Sequence, residues 1–232
     1  MSEKIDTLLK ESRVYQPTAQ TKAAAYIQDY ESAYKKSIAD PEGFWSDVAK
    51  ELEWFSPWTK VLEWNYPWAK WFVGATCNIT YNCLDRHVKT WRKNKVAIIW
   101  VGENDQERVI TYGELYRQVN RCANALKKLG IEKGDRVTIY LPKVPEQIVA
   151  MLACARIGAI HSVVYSGFSA PALANRIQDA ESKLVITADV GFDRGKVLSL
   201  KPVVDQAVVN SPSVEHVVVL RRQAPGVSLS TP

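Results

Sequence analysis

The chain has 232 residues, 47% of them hydrophobic and 24% charged, which excludes a largely disordered chain and allows a sizeable buried core. Its 30 Lys and Arg residues against 25 Asp and Glu residues leave a formal net charge of +5. This mild basic excess suits an anionic ligand such as a nucleotide or a coenzyme. It suits nucleic acid equally well, so charge alone decides nothing.

Cysteine usage and the hydropathy pattern predict an intracellular protein. Cys77, Cys83, Cys122 and Cys154 form no C-x-x-C pair, and reduced, buried thiols fit their hydrophobic surroundings better than disulfides do. Residues 1–10 are polar and lack the apolar stretch of a signal peptide. No apolar run approaches the ~20 residues that a membrane span needs. We therefore expect a soluble, cytoplasmic protein that does not bind a membrane, and we predict no nucleic-acid partner.

Residues 1–93 form a first zone that is predicted to be helical and is rich in tryptophan. Residues 21–37 favour a helix. A second helix is predicted to begin at Asp40, because Asp40 can cap the free N–H groups, Pro41 suits the first helical position and Glu42 complements the helix dipole.

Six of the eight tryptophans lie between Trp45 and Trp71. One interpretation is an irregular segment that wraps the core and buries its rings against a neighbouring domain. The other is an aromatic surface that binds a carbohydrate or stacked bases. The rings are interleaved with aliphatic rather than basic residues, which favours the first interpretation.

Residues 94–222 alternate predicted strands with predicted helices. The strands are short apolar runs at residues 96–101, 108–110, 137–141, 160–165, 184–188 and 216–220. The helices are predicted to begin at the capping box of Thr111 and Glu114, at Pro145, after Ser169 and at Leu198. This order predicts an α/β fold, a mixed or parallel sheet with helices on both faces. Residues 223–232, rich in Pro, Gly and Ser, are predicted to form a loop.

Ligands of open α/β sheets bind beyond the carboxyl ends of the strands, and two such ends are unusual here. The first is the turn Tyr165-Ser166-Gly167. Gly167 permits a close backbone approach, the helix that follows offers N–H groups to an anion, and Tyr165 offers a ring face to a base. A tight turn with one packed aromatic ring explains the same residues equally well.

The second unusual strand end is the segment from Asp189 to Lys196. Arg194 and Lys196 flank Gly195 there and could meet a phosphate, although a solvated loop is the commoner explanation for such a run. The chain contains no G-x-G-x-x-G, Walker or G-x-S-x-G motif. His87 is interpreted as a structural or helix-surface residue, and neither a catalytic residue nor a metal ligand is predicted.

Short motifs in one collinear order resemble the acetyl-CoA synthetase family of adenylate-forming enzymes. They are DPEGFW at 40–45, YNCLDRH at 81–87, KVAIIW at 95–100, MLACARIG at 151–158, AIHS at 159–162, GFS at 167–169 and LVITAD at 184–189. The similarity covers about residues 15–222. It implies part of the N-terminal domain of the adenylate-forming fold, preceded by the tryptophan-rich region.

The resemblance implies a ligase that converts acetate, ATP and CoA into acetyl-CoA, AMP and pyrophosphate through an acetyl-adenylate, with Mg²⁺ accompanying ATP. It places Tyr165, Ser166 and Gly167 beside the adenine end of CoA, where Ser166 departs from the family's usual glycine. It places Arg194, Gly195 and Lys196 at the CoA phosphates. Lys196 matches the family pattern, whereas Asp193 stands where a cation is usual. Either Arg194 substitutes for that cation or phosphate binding is weaker.

The family's glycine-rich phosphate loop, acyl pocket, ribose-binding aspartate, hinge and catalytic lysine have no counterpart in these 232 residues. The resemblance therefore implies that this segment supplies part of the CoA site, depends on the remainder of its own chain and is inactive alone. Propionyl-CoA or another short-chain acyl-CoA synthetase is the nearest alternative. A non-catalytic module that binds CoA or a partner is the alternative from another class. The sequence predicts no oligomeric state.

Overall fold

The computed structural model describes residues 13–103 and 105–222. The chain divides into two compact units. Of the described residues, the first unit holds 13–51 and 59–73, and the second holds 52–58, 74–103 and 105–222. The predicted loop at 223–232 and the polar segment 1–10 lie outside the described residues.

The first unit contains helices and one β-hairpin. Its elements are α1 (Ala19–Ala24), α2 (Tyr30–Ala39), α3 (Pro41–Ala49), β1 (Lys60–Asn65) and β2 (Trp68–Val73). The predicted start at Asp40 is confirmed, because the Asp40 carboxylate accepts a hydrogen bond from the Gly43 N–H and Pro41 is the first helical residue. The single helix predicted over 21–37 is wrong, since α1 ends at Ala24 and α2 is capped separately by Asp29.

The hairpin of β1 and β2 was not predicted, and it carries several of the tryptophans. The strands pair antiparallel, with Leu62 opposite Trp71. Trp64 and Trp68 are 66% and 74% exposed, and Trp45 meets Trp71 edge to face at 6.3 Å between ring centroids. Rings of this unit therefore remain largely exposed, so the burial against a neighbouring domain that we favoured stays a prediction.

The second unit begins with a π-helical turn (Tyr81–Asp85) that runs into the short helix α4 (Arg86–Val88), followed by a 3-10 turn (Trp91–Asn94). Its remaining elements are β3 (Val96–Val101), β4 (Glu107–Thr111), α5 (Tyr112–Lys128), β5 (Arg136–Tyr140), α6 (Pro145–Ile157), β6 (Ile160–Val163), α7 (Ala170–Ala180), β7 (Leu184–Ala188), β8 (Val190–Asp193), β9 (Lys196–Ser199), α8 (Lys201–Val208) and β10 (His216–Leu220).

Four of these strands form one parallel sheet, in the order β10-β7-β5-β6. The connection from β5 to β6 moves one way across the sheet, and those from β6 to β7 and from β7 to β10 move the other way. Right-handed crossovers then place α6 on one face and α7 and α8 on the other. The central strand β7 is buried along its whole length. The predicted α/β fold with helices on both faces is confirmed.

Helix α5 forms as its sequence predicts. The Thr111 side chain accepts from the Glu114 N–H, and the Glu114 carboxylate accepts from the Thr111 N–H, which completes the capping box. The hydrogen bonds that the Glu114 carboxylate accepts from the Thr111 N–H and from the Thr111 hydroxyl lower the pKa of Glu114. The buried stripe of this helix includes Leu115, Val119 and Leu126. It packs against α6, whose buried residues include Val149 and Ala153.

The helix predicted over 198–208 begins later than expected. Residues Lys196–Ser199 form β9, which pairs antiparallel with β8, and α8 begins at Lys201. The start predicted at Leu198 is therefore wrong, because residues 196–199 pair with a neighbouring strand rather than turn into a helix.

The four cysteines are free thiols, as predicted, but two of them are exposed. Cys154 is buried, which raises its pKa to about 12, whereas Cys77 and Cys83 are exposed. The expectation of four buried thiols is wrong for these two. Within residues 13–103 and 105–222, none of the helices has both the length and the apolar character needed to cross a membrane.

Candidate functional site

A cavity of about 460 Å³ lies in the second unit, beyond the carboxyl ends of its parallel strands. The chain reaches it directly after β5, β6 and β7, after β10, and at the end of β3. Its lining residues are Trp100, Val101, Gly102, Glu103, Pro142, Lys143, Val144, Tyr165, Ser166, Gly167, Gly191, Phe192, Asp193, Leu198, Leu200 and Arg222. A volume of this size suits part of a small-molecule ligand.

The turn Tyr165-Ser166-Gly167 forms one wall of this cavity. Tyr140, which is buried at the end of β5, holds it: its hydroxyl lies 2.8 Å from the Ser166 carbonyl oxygen and 2.7 Å from that of Phe168, and donates to them. Burial raises the pKa of Tyr140, so the hydroxyl keeps its proton. The Tyr165 ring is 63% exposed and folds over Gly167, where an added Cβ would lie 2.4 Å from Tyr165 Cε1. The turn therefore presents a ring face to the cavity, and only a glycine fits beneath that ring.

Asp189 fixes the backbone on the β8 side of the cavity. This residue follows β7 and is only 2% exposed. Its Oδ1 accepts hydrogen bonds from the Val190 N–H at 2.7 Å and the Arg222 N–H at 2.9 Å. Its carbonyl oxygen accepts from the Leu200 N–H at 3.0 Å. One buried residue thus fixes the start of β8, the end of β9 and the residues that follow β10.

The predicted solvated loop at 189–196 is a β-hairpin, formed by β8 and β9 with Asp193 paired to Lys196. Its turn residues Arg194 and Gly195 have φ values of 51° and 72°. Two successive left-handed residues are the backbone of a type I′ turn, the connection that matches the twist of a tight hairpin. The segment is therefore an ordered hairpin, and its tip at residues 193–196 is exposed to solvent.

The hairpin brings the two predicted strand ends to one cavity. Asp193 lines the same cavity as Tyr165, Ser166 and Gly167. Arg194, Gly195 and Lys196 continue from it as the exposed hairpin tip. Among the residues that the structure describes, neither the Arg194 nor the Lys196 side chain forms a salt bridge.

Other cavity residues were missed by the sequence reading. The Arg222 guanidinium lies over the Phe192 ring, 5.0 Å from the ring centroid. Burial lowers the pKa of Arg222, although the nearby Glu146 and Asp189 carboxylates act to raise it. Lys143 adds a second cation, and its carbonyl oxygen accepts from Trp100 Nε1 at 2.8 Å. A lone Arg or Lys beyond a strand is too common a pattern for the sequence to single out.

This arrangement suits a ligand that has both a flat ring and phosphate groups. Tyr165 offers a ring face, Lys143 and Arg222 line the cavity, and the exposed Arg194 and Lys196 belong to the same hairpin tip as the lining residue Asp193. His87 lies apart from the cavity lining and packs against Tyr112 at 5.0 Å, and burial, with Arg86 and Arg92, lowers its pKa. Within the described ranges, no group of three or more His, Cys, Asp or Glu residues could hold a metal ion.

Comparisons with known proteins agree with the fold and the motifs. The chain is 50% identical to an acetyl-coenzyme A synthetase of Chlorobaculum tepidum over 223 residues, covering 95% of this chain and 34% of that protein. It is 58% identical to an acetyl-coenzyme A synthetase of Methanothrix thermoacetophila over 181 residues, covering 77% of this chain and 28% of that protein. The solved acetoacetyl-CoA synthetase from Streptomyces lividans has a TM-score of 0.82 and 28% identity, covering 90% of this chain and 36% of that chain.

The chain thus spans about a third of the length of the curated relatives it matches. Residues 30–83 match the acetyl-coenzyme A synthetase N-terminus family. Residues 84–229 match the AMP-binding enzyme family, which is more than half of the chain. The predicted resemblance is confirmed, and the chain belongs to the AMP-binding enzyme family, with an N-terminal segment of the acetyl-coenzyme A synthetase type.

Proposed function

We propose that the chain is the N-terminal part of an AMP-forming acetyl-CoA synthetase, and that its cavity holds the nucleotide end of CoA. The observation that supports this most is the convergence of two segments on one cavity. Tyr165–Gly167 and the hairpin at Asp193, which the family resemblance assigns to CoA, both line that cavity. The sequence resemblance did not depend on this proximity.

The Tyr165–Gly167 turn and the hairpin tip have different roles in the proposed site. The adenine ring stacks on the exposed Tyr165 ring, because aromatic faces pair well when offset. The CoA phosphates meet Arg194 and Lys196 at the hairpin tip, with Gly195 allowing the backbone to approach. Arg194 supplies the charge that Asp193 does not, since both belong to the same tight turn. Lys143 and Arg222 add positive charge within the cavity.

In the proposed reaction, acetate and ATP form an acetyl-adenylate and pyrophosphate, and CoA then displaces AMP to give acetyl-CoA. The 232 residues carry no adenylation motif, so this chemistry belongs to the remainder of the parent enzyme. Mg²⁺ would accompany the ATP phosphates there. We assign residues 1–93 to the N-terminal segment and 94–222 to the α/β part of the AMP-binding domain, in a cytoplasmic enzyme.

The proposal predicts that the 232-residue chain binds CoA but does not activate acetate. Calorimetric titration should show CoA binding that weakens with added salt, because the contacts are with phosphates. The same sample should release no pyrophosphate from ATP when acetate is added. Acetate-dependent pyrophosphate release would contradict the assignment of adenylation to other residues, and absence of CoA binding would contradict the assigned site.

We expect Gly167→Ala to weaken CoA binding about threefold to tenfold, through loss of about 1 kcal/mol of ring stacking. The added Cβ would lie 2.4 Å from Tyr165 Cε1 and 2.9 Å from Cζ, so the ring must leave its position. Calorimetry with CoA measures the effect. Ser169→Ala is the control, since Ser169 follows the turn, does not line the cavity and makes no side-chain cap bond to α7, and this variant should bind CoA normally. Equal affinities for the wild-type chain and Gly167→Ala would remove Tyr165 from the site.

A further inference from the structure

The end of β3 places a carboxylate at the rim of the cavity. Trp100 Nε1 donates to the Lys143 carbonyl oxygen at 2.8 Å, and the Gly102 N–H donates to the Gln106 carbonyl oxygen at 2.8 Å. These two bonds fix the backbone just before Glu103. Glu103 lines the cavity, although no chemical role for it follows from the family resemblance.

Glu103 contacts the hairpin tip directly. Its Oε2 accepts a hydrogen bond from the Gly195 N–H at 3.3 Å, across 92 positions of sequence. In a two-residue hairpin, the N–H groups of the flanking pair, here Asp193 and Lys196, face the ladder. The Gly195 N–H lies outside this ladder, and Gly195 stands between Arg194 and Lys196 in the sequence, so this backbone donor has a cationic residue on either side, a setting that suits an anion.

The hydrogen bond from the Gly195 N–H to Glu103 is weak enough for another acceptor to replace the carboxylate. Its length is near the upper limit for an N–H···O hydrogen bond, and both partners are exposed. Within the described part of the chain, Glu103 makes no salt bridge of 4.0 Å or less with Arg194 or Lys196. An incoming phosphate oxygen could replace the carboxylate at the same donor and would gain both cations as well.

We propose that Glu103 is an internal placeholder for phosphate. Its carboxylate accepts the hydrogen bond of the Gly195 N–H, and a CoA phosphate must displace the carboxylate to bind at that donor. Glu103 thereby sets the affinity of the hairpin tip for anions and favours multiply charged phosphate ligands over weaker anions. This inference rests on the proposed CoA site and adds a specificity-determining residue to it.

Glu103→Gln tests the placeholder, because it removes the charge and keeps the shape. We expect the variant to bind CoA about threefold to tenfold more tightly than the wild-type chain at low salt, with the gain shrinking as salt rises. Glu107→Gln is the matched control, since it removes the same charge from the neighbouring strand β4 without touching Gly195. It should change CoA affinity much less.

Calorimetry with CoA on the three 232-residue chains, together with amide NMR of Gly195, decides between the outcomes. Tighter binding by Glu103→Gln alone supports the placeholder. Unchanged or weaker binding by Glu103→Gln, or an equal gain in Glu107→Gln, overturns it. If no chain binds CoA, the proposed function fails, and inorganic pyrophosphate becomes the probe of Gly195. If the Gly195 amide signal of Glu103→Gln then shifts at a lower pyrophosphate concentration than that of the wild-type chain, the placeholder is supported. Identical pyrophosphate titrations of the two chains overturn it.

Discussion

Replacing Arg194 and Lys196 together by alanine is expected to weaken CoA binding about 30-fold. Both side chains are exposed at the tip of the β8–β9 hairpin, and neither is used in a salt bridge among the described residues. Each lost charge-assisted contact with a phosphate should cost about 1 kcal/mol, because exposure to solvent reduces the full value. Two such contacts correspond to the expected factor.

Calorimetric titration of CoA into the wild-type and doubly substituted chains measures this effect. Lys89→Ala with Lys95→Ala is the matched control, since it removes two exposed cations of the same unit that do not line the cavity. The separate single variants decide a question that the sequence left open. A loss in Arg194→Ala as large as that in Lys196→Ala means that Arg194 replaces the missing cation at Asp193. Unchanged affinity in the double variant would contradict the phosphate assignment of the hairpin tip.

Asp189→Ala is expected to lower the free energy of unfolding by about 3 kcal/mol. The substitution leaves the Val190 and Arg222 N–H groups without the Oδ1 acceptor to which both donate. An orphaned buried donor costs about 1–3 kcal/mol, and here two lose their acceptor at once. Urea denaturation of the 232-residue chain measures the change.

Asp189→Asn separates the hydrogen bonds from the charge. Asparagine keeps an acceptor oxygen in the same place, so we expect it to lose only about 1 kcal/mol. The alanine variant should also weaken CoA binding, since β8, β9 and Arg222 all depend on this residue for their position. Equal losses in the two variants would show that charge, rather than the shared acceptor, makes Asp189 important.

Local signals in the sequence determine much of the second unit. The capping box at Thr111 and Glu114 places the start of α5, because both reciprocal bonds lie within four residues. Apolar runs predict β5 and β7 because both strands are buried on two faces and need no alternation. Such elements are predictable because the interactions that define them are short in sequence or require only hydrophobicity.

The β8–β9 hairpin shows where local signals fail. Residues 198–208 carry an apolar spacing that favours a helix, yet Lys196–Ser199 pairs with Val190–Asp193. The type I′ turn has arginine at its first central position, where asparagine, aspartate or glycine is the usual signal. The β1–β2 hairpin was also missed, because its tryptophan-rich segment was interpreted as an irregular wrap rather than as two paired strands.

The candidate site was only partly accessible from sequence. Tyr165 follows β6 and the segment that carries Lys196 follows β7, and the rule for open sheets identifies such positions. Glu103, Lys143 and Arg222 come from three other segments, and only the packing of β3, β5 and β10 brings them to the same cavity. Their role depends on tertiary proximity, which single-sequence patterns do not encode.

The central claim is that CoA binds between the Tyr165–Gly167 turn and the hairpin tip. Titration of CoA into isotopically labelled 232-residue chain, followed by amide NMR, tests it most directly. We expect the amide signals of Gly167 and Gly195 to shift together and to give the same dissociation constant for CoA. Gly134, which precedes β5 at the opposite end of the sheet, should stay unchanged. Shifts at Gly134 with Gly167 and Gly195 unaffected would place the ligand elsewhere and contradict the proposed site.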